Sequence, residues 1–263
     1  LQTSEDGVFA LNGAVRGFFS FATPGVVRAF EPSWLEGFPR AQSEGGALLV
    51  SADGIGNDQL STLATFSAEP TPIGPLGDGP CRETRVVHEA EGGAFISRTF
   101  LCDDAPRADF HRLDGDQLVS LGGFELPFIP HKQFLAPRKG GYFYAISKWG
   151  NGIVVYSLDP SGEVVSEPWV DTFTFGDTPT MFAPWRDGFV ISRRTIDGIS
   201  LIVSNGENQT LNLPLAVDVV ASNSEIAMLV GGLNDSSILF AYPQFQPPDS
   251  FTIGLFRLDC VTP

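Results

Sequence analysis

Residues 134–170 read FLAPRKGGYFYAISKWGNGIVVYSLDPSGEVVSEPWV, and this stretch decides the fold. Short apolar runs alternate in it with turn sequences rich in Gly, Asn, Asp and Pro, which tolerate positive φ or favour a type I turn. The pattern predicts four consecutive strands, at Phe134–Ala136, Tyr142–Ser147, Ile153–Leu158 and Glu163–Val170.

The same unit recurs along the chain. Its marker is a polar residue, then Gly or Asp, then Gly, followed by an apolar run. The second small residue is found at Gly7, Gly46, Gly93, Gly141 and Gly188, with a degenerate sixth copy at Glu225. The spacings are 39, 47, 48, 47 and 37 residues, which is the length of one four-stranded propeller blade.

The fifth copy repeats the turns at matching offsets. It predicts strands at Met181–Ala183, Phe189–Arg193, Ile199–Val203 and Thr210–Leu215. The sequence therefore predicts an all-β fold, a single β-propeller domain over 1–263 with about six four-stranded antiparallel blades. The blades are expected at approximately 1–38, 39–79, 80–126, 127–173, 174–215 and 216–263.

How the ring would close is left open by the sequence. Leu1–Ser4 could supply the first strand of the first blade. Phe251–Leu258 could serve as the outer strand of the last blade or complete the first blade. A terminal join of this kind would hide unpaired strand edges.

Composition limits the possible partners. The chain carries 16 Lys and Arg against 31 Asp and Glu, a net charge of −15, which disfavours nucleic acid and anionic lipid as partners. There is no run of about 18 apolar residues, so no transmembrane segment is expected. There is also no basic region followed by an apolar one at the N-terminus, so an export signal would already have been removed.

Two cysteines suggest an oxidising compartment. Cys81 and Cys102 are equidistant from the Glu91-Gly92-Gly93 turn, so in a simple hairpin they lie opposite one another. Facing residues on antiparallel strands can satisfy disulfide geometry. We therefore predict a Cys81–Cys102 disulfide and an extracellular, periplasmic or cell-surface location. Cys260 is left over, as a spare thiol or for pairing outside the chain.

The repeat also resembles a known class of proteins. Gly140-Gly141-Tyr142-Phe143 and the run Val155–Gly162 are similar to repeats of exported bacterial β-propeller proteins, with a Gly-Gly-aromatic strand and a Leu-Asp-x-x-Gly turn. The resemblance implies the fold, and it carries no catalytic residues to this chain.

The sequence shows no catalytic signature, and we predict no catalytic residues from it. His88 and His111 fall in predicted strands and His131 in a connector, without metal-ligand spacing. There is no G-x-S-x-G, no P-loop and no H-E-x-x-H motif.

One acidic loop could bind a metal. Asp53, Asn57 and Asp58 provide oxygen ligands of the kind that Ca²⁺ prefers. Their spacing does not match the usual calcium loop, so an ordinary hairpin turn is favoured, and no other cofactor is expected.

Aromatic residues form the other candidate site. Second-to-third-strand turns and blade connectors emerge on the same face of a propeller, which would gather Trp34, Phe38, Phe128 and Trp149. They could stack on sugar or anchor a protein partner. Packing between blades is the competing interpretation for each one.

The main functional prediction is a non-catalytic secreted propeller that binds a protein partner or surface component, or acts as an accessory subunit, through its loop face. The first alternative is a carbohydrate-binding, lectin-like propeller. The second is a hydrolase or lyase with a site at the central channel mouth.

Overall fold

A computed structural model shows how these repeats fold. It describes residues 2–4, 7–12, 15–20, 27–29, 40–42, 47–52, 58–63, 71–75, 82–88, 93–101, 105–115, 117–148, 152–172, 178–195, 198–205, 210–215, 229–234, 237–246 and 250–259. All regular elements in these ranges are β-strands, and every strand pair is antiparallel. Within the same ranges, no helix long and apolar enough to cross a membrane occurs.

The chain divides into two compact units, and the first comprises Leu1–Ile129. It holds three four-stranded sheets whose strands follow chain order. Sheet 1 contains β1 (Gln2–Ser4), β2 (Gly7–Asn12), β3 (Val15–Ser20) and β4 (Val27–Ala29). Sheet 2 contains β5 (Arg40–Gln42), β6 (Ala47–Ala52), β7 (Asp58–Leu63) and β8 (Thr71–Pro75). Sheet 3 contains β9 (Arg82–His88), β10 (Ala94–Phe100), β11 (Arg107–Asp114) and β12 (Gln117–Glu125).

The second unit comprises Pro130–Pro263 and holds the other three sheets. Sheet 4 contains β13 (Lys132–Arg138), β14 (Gly141–Lys148), β15 (Gly152–Leu158) and β16 (Trp169–Asp171). Sheet 5 contains β17 (Thr178–Trp185), β18 (Gly188–Thr195), β19 (Gly198–Ser204) and β20 (Thr210–Leu215). Sheet 6 has three described strands, β21 (Leu229–Asn234), β22 (Ser237–Gln246) and β23 (Ser250–Asp259).

The repeated glycine has a packing role at the start of the second strand. A Cβ built on Gly141 would lie 2.0 Å from the carbonyl oxygen of Leu158, and one on Gly188 would lie 1.9 Å from that of Ser204. Both oxygens belong to the last residue of the third strand. The third strand thus passes so close to the second that a side chain is excluded there, which explains the glycine in the fourth and fifth copies of the motif.

An aromatic core joins sheets 4 and 5. Phe189 on β18 contacts Phe143 on β14 edge-on at 5.4 Å, Trp169 on β16 at 5.2 Å and Phe182 on β17 in a stacked pair at 5.3 Å. Phe143 and Phe189 are each 1% exposed. Because both lie near the beginning of a second strand, the two sheets are aligned with the same strand ends together.

The structure confirms the all-β, antiparallel prediction and corrects one strand. The predicted fourth strand of sheet 4, Glu163–Val170, is wrong in extent, since β16 covers only Trp169–Asp171. Pairing starts after the turn, where Val164 bridges Leu158 and the amide of Val165 donates to the carbonyl of Ser157 at 2.9 Å. The ladder then stops before Pro168, which has no amide hydrogen to donate.

Strand pairing shows to which sheets the first and last described strands belong. Gln2–Ser4 forms the first strand of sheet 1 against β2. β23 pairs with β22 along its whole length and therefore belongs to sheet 6. The sixth repeat marker, at 223–227, lies outside the described residues, and the division of the chain into six blades stays a prediction.

Candidate functional site

Antiparallel pairing brings particular strand ends together. We call the side on which a sheet's first strand begins its entry side, because its second strand ends and its third strand begins there as well. In sheet 3 this side is marked by the paired residues Arg82, Phe100 and Arg107. In sheet 4 it is marked by Lys132 and Lys148, and in sheet 5 by Thr178 and Thr195.

A short motif recurs at the entry side of three successive repeats. The second strand there contains Ile, Ser and a basic residue, which we call the Ile-Ser-basic triplet: Ile96-Ser97-Arg98, Ile146-Ser147-Lys148 and Ile191-Ser192-Arg193. All three isoleucines and all three serines are 0% exposed. The third residue lies at or within two residues of the end of its strand at the entry side, and Arg98 is buried, Arg193 partly buried and Lys148 exposed.

In sheet 3 the triplet brings charges of both signs onto one face. Arg98 is 4% exposed, lies opposite Asp109 on β11, and places its Cζ 5.3 Å from the centroid of the Phe100 ring. Oδ1 of Asp109 accepts hydrogen bonds from Nε and Nη2 of Arg107, at 3.0 and 2.5 Å. The Asp109 carboxylate is 24% exposed, so solvent and small ligands can reach it.

Glycine at the neighbouring strand makes room for this carboxylate. Gly123 on β12 lies opposite Asp109, and a Cβ built on it would lie 2.1 Å from the carbonyl oxygen of Ala108 and 2.5 Å from Oδ1 of Asp109. The β11–β12 register also shifts between Phe110 and His111, beside Gly122 with a φ of +95°. Such bulges redirect side chains and are frequent next to functional sites.

His111 lies two residues beyond Asp109 on the same strand face. Burial lowers the pKa of His111, the positive charge of Arg98 lowers it further, and the carboxylate of Asp109 opposes both effects. Its Nε2 is buried and has no hydrogen-bond partner in the structure. The imidazole therefore favours its neutral form more than an exposed histidine does, beside an arginine and a carboxylate.

In sheets 4 and 5 one residue of each triplet forms a hydrogen bond to a neighbouring strand. The hydroxyl of Ser147 donates to the backbone carbonyl of Lys132 at 3.5 Å, and Nε of Arg193 donates to the hydroxyl of Ser200 at 3.0 Å. Beneath them, the hydroxyl of the buried Tyr144 donates to Oε1 of the buried Gln133 at 3.0 Å. Buried, hydrogen-bonded polar side chains therefore lie next to the entry side of sheet 4.

The structure describes only part of the sites predicted from the sequence. Phe128 lies, partly buried, in the connector between β12 and β13, and Asp58 begins β7. The other predicted residues lie outside the described ones: Trp34, Phe38, Trp149, Asp53, Asn57, Cys81 and Cys102. Within the described ranges, no group of three or more His, Cys, Asp or Glu residues could hold a metal ion.

Sequence reasoning missed the Ile-Ser-basic triplet. The candidate binding residues predicted from the sequence lie in turns and connectors, whereas the triplet lies inside the second strands. Aligning those strands on the repeated glycine places Arg98 and Arg193 five residues after Gly93 and Gly188, and Lys148 seven after Gly141. The alignment could therefore have found the two arginine triplets, whereas the lysine triplet lies two residues further along its strand.

Comparison with solved structures identifies the class of fold. The chain is similar to a subtype N11 neuraminidase-like protein from a Peruvian flat-faced bat strain (TM-score 0.56, 13% identity, covering 94% of this chain and 79% of that chain). It is also similar to an α-L-arabinofuranosidase from Fusarium graminearum in complex with an iminosugar inhibitor (0.53, 9%, 93% and 89%) and to the WD40 domain of SCAP from fission yeast (0.50, 12%, 93% and 69%). No protein-family model and no curated protein matches the sequence.

These neighbours are β-propeller proteins, so the likeness shows a propeller-type fold. It also overturns the main functional prediction. A non-catalytic, protein-binding role was inferred because the sequence lacks catalytic motifs, but the neighbours include a glycosidase of nearly the same extent. The inference failed because a propeller can assemble a site from separate strands, which leaves no contiguous motif.

Proposed function

We propose that this protein is a hydrolase that cleaves glycosidic bonds. The observation that carries the proposal is the likeness to the α-L-arabinofuranosidase, which extends over 93% of this chain and 89% of that one. At 9% identity the likeness concerns the fold, so the chemistry has to be argued from this chain's own residues.

Glycoside hydrolysis generally requires two carboxyl groups on either side of the scissile bond. The entry side of sheet 3 supplies such a pair in Asp109 and Glu125. Asp109 lies opposite Gly123 and Glu125 lies opposite Arg107, so the two acidic residues are diagonal neighbours on one face of β11 and β12. Diagonal neighbours are about 7–8 Å apart at the backbone, and inverting glycosidases hold their two carboxyl groups about 6.5–9.5 Å apart to leave room for an attacking water.

The two carboxyl groups take different roles. Asp109 accepts two hydrogen bonds from Arg107, so we assign it as the base that removes a proton from the attacking water. Glu125, the other carboxyl group of the pair, is assigned as the acid that protonates the glycosidic oxygen, a role that requires its protonated form. The new bond forms between the water oxygen and the anomeric carbon while the bond to the leaving oxygen breaks, with inversion of configuration.

The test is hydrolysis of a panel of 4-nitrophenyl glycosides and polysaccharides by the purified full chain. Wild type is expected to release product, and Asp109→Asn and Glu125→Gln each to lower kcat by about 10²- to 10⁴-fold. Asp114→Asn is the matched control, an exposed carboxyl at the other end of β11. Absence of turnover across the panel by folded protein would overturn the proposal, and sugar binding without turnover would favour a lectin-like role.

A variant of Glu83 tests the competing location of the active site, on the first strands of the sheets. Glu83 on β9 is the one carboxylic acid on the first strand of a sheet within the described residues. Activity lost in Glu83→Gln but kept in Asp109→Asn would move the reaction to the first strands, as the channel-mouth hypothesis expects.

The remaining sequence expectations stand as proposals. Export in an oxidising compartment, membership of the exported bacterial class and a single six-bladed ring are consistent with the repeat. A Cys81–Cys102 peptide in a non-reducing digest would support export. A rise in Tm with added Ca²⁺, lost in Asp53→Asn, would support a calcium site at Asp53, Asn57 and Asp58.

A further inference from the structure

His111 is a partly buried group of sheet 3 to which the proposed reaction gives no role. Its Nε2 is buried and has no hydrogen-bond partner in the structure. Buried polar atoms are nearly always hydrogen-bonded to protein or to ordered water, and an unpaired one costs stability. A water molecule is the smallest group that can satisfy such a nitrogen.

Strand pairing places the side chain of His111 next to the assigned base. β11 pairs regularly with β10 from Arg107 to Leu113, so Asp109 and His111, two residues apart, lie on the same face. Their Cα atoms are therefore about 6.6 Å apart. A water that forms hydrogen bonds of about 2.8 Å to both side chains joins polar atoms up to about 5.6 Å apart. A single water can therefore bridge the two side chains.

Small residues leave room beside these two side chains. The β12 residue opposite Asp109 is Gly123, which has no side chain. The β12 residue opposite His111 is Ser120, and both of these β12 residues are exposed. The β10 residues opposite the pair are buried. The pair is therefore closed towards β10 and open towards β12, which is the direction from which a substrate can approach.

We propose that His111 positions the reacting water, and that its Nε2 and Oδ2 of Asp109 together hold the water that attacks the anomeric carbon. The inference rests on the proposed function and adds a residue to that site. Oδ1 of Asp109 accepts both hydrogen bonds from Arg107, so Oδ2 is the oxygen assigned to the water.

The neutral form of His111 suits this role. Burial and the charge of Arg98 lower the pKa of His111 against the opposing effect of Asp109, and a neutral imidazole has one nitrogen that accepts a hydrogen bond. With Nε2 as this acceptor, the water donates one hydrogen to His111 and the other to Asp109, which leaves a lone pair of its oxygen for the anomeric carbon.

The reaction then distributes the two hydrogens of the water. The proton directed at Asp109 passes to that carboxylate as the water oxygen bonds to the anomeric carbon. The hydrogen directed at His111 stays on the oxygen and becomes part of the new hydroxyl group. The electron pair of the broken bond goes to the leaving oxygen, which Glu125 protonates. His111 therefore orients the water without gaining or losing a proton.

The first test is crystallography of the full wild-type chain, which needs no substrate. The expected result is a water oxygen within about 2.6–3.2 Å of both Nε2 of His111 and Oδ2 of Asp109. A protein group bonded to Nε2, or ordered density around His111 without this water, would overturn the inference.

The second test is steady-state kinetics on the glycoside that the wild type cleaves. His111→Phe keeps a ring but removes the acceptor, and should lower kcat by about 10- to 10²-fold with KM unchanged, because the water is displaced and the sugar is not. His111→Gln has an amide oxygen that can accept from the water and should retain more activity than His111→Phe.

The matched control is Ser97→Ala. Ser97 is 0% exposed and its hydroxyl also has no hydrogen-bond partner, but it lies opposite Phe110, on the other face of sheet 3. This variant should leave kcat unchanged, and an equal loss in Ser97→Ala and His111→Phe would contradict a specific role for the histidine. Circular dichroism of each variant verifies the fold.

The outcomes separate this inference from the proposed function. Wild-type kcat in folded His111→Phe, together with activity lost in Asp109→Asn, would refute this inference alone. Absence of turnover of any glycoside by the wild type, with the bridging water present in the crystal, would refute the proposed function and leave the water site between His111 and Asp109 intact.

Discussion

Gly123 lies directly opposite Asp109, and a Cβ on Gly123 would lie 2.5 Å from Oδ1 of that aspartate. A side chain at 123 must therefore displace the carboxylate or separate β12 from β11. We expect Gly123→Ala to lower the free energy of unfolding by about 1–3 kcal/mol, as overpacking does. Urea denaturation measures this.

The control for this prediction is Gly140→Ala. Gly140 has a φ of +73° but no atom within 4 Å of an added Cβ, so alanine there meets backbone strain without a clash. A cost at Gly123 no greater than that at Gly140 would show that β12 can move aside freely.

Removal of the Tyr144 hydroxyl should take one hydrogen-bond donor away from the buried side chain of Gln133. Tyr144 donates to Oε1 of Gln133 at 3.0 Å, and the two residues are 0% and 1% exposed. Tyr144→Phe is expected to cost about 1–3 kcal/mol, whereas Tyr144→Phe combined with Gln133→Leu should cost less than the sum of the two single changes. A strictly additive double-mutant cycle would argue against a coupled pair.

The aromatic core should be sensitive at its centre. Phe189 contacts Phe143, Phe182 and Trp169, so Phe189→Ala should cost about 3–5 kcal/mol in thermal or chemical unfolding. Val170→Ala is the comparison, because Val170 on β16 is 61% exposed and should change stability by less than about 0.5 kcal/mol. Similar costs at the two positions would mean that sheets 4 and 5 are not packed as described.

His111 should make stability depend on pH. An unfolded histidine has a pKa of about 6.5, and burial lowers the pKa of His111 in the folded chain. The unfolded chain therefore takes up this proton first, so stability falls as the pH drops below about 6.5. His111→Gln should flatten the stability profile between about pH 7.5 and 5.

The pKa of His111 also depends on the charge of Asp109. Asp109 raises the pKa of His111, so Asp109→Asn should lower the pKa further, as measured by NMR titration of the imidazole. An unchanged pKa would place the two side chains further apart than the structure does.

Asp159 should contribute at the acidic end of the profile. Hydrogen bonds from the Ser161 hydroxyl, at 2.7 Å, and from backbone amides hold the pKa of Asp159 below its usual range. Its contribution is present above the unfolded pKa of about 3.9 and is lost as the pH falls through the folded value. Asp159→Asn should therefore lose less stability between pH 5 and 2 than wild type, and Asp114→Asn serves as the control.

The strands of sheets 4 and 5 could be predicted from the sequence because local signals agree there. The turn at 159–162 and the glycines at 141 and 188 each specify one local backbone geometry. The outer strand of sheet 4 was overextended because β-branched Val164 and Val165 outweighed Pro168 in the pattern. The pairing after Val165 is interrupted because Pro168 has no amide hydrogen, and a pattern of apolar residues contains no information about that hydrogen.

The candidate site at Asp109 and Glu125 could not be predicted from the sequence, for a different reason. Asp109 lies on β11 and both Gly123 and Glu125 lie on β12, and the way these two strands face each other depends on a register shift between Phe110 and His111. A bulge changes which residues face one another without changing the apolar pattern. The loops that carried the aromatic and calcium hypotheses lie mostly outside the described residues, so those hypotheses remain predictions.

The carbonyl oxygens of Leu158 and Ser204 leave no room for a Cβ at Gly141 and Gly188. A duplicated copy of either unit therefore needs a glycine at this position. A daughter copy without that glycine would begin with overlapping atoms between its second and third strands. Purifying selection should therefore act on the codons of Gly141 and Gly188, while surface codons drift.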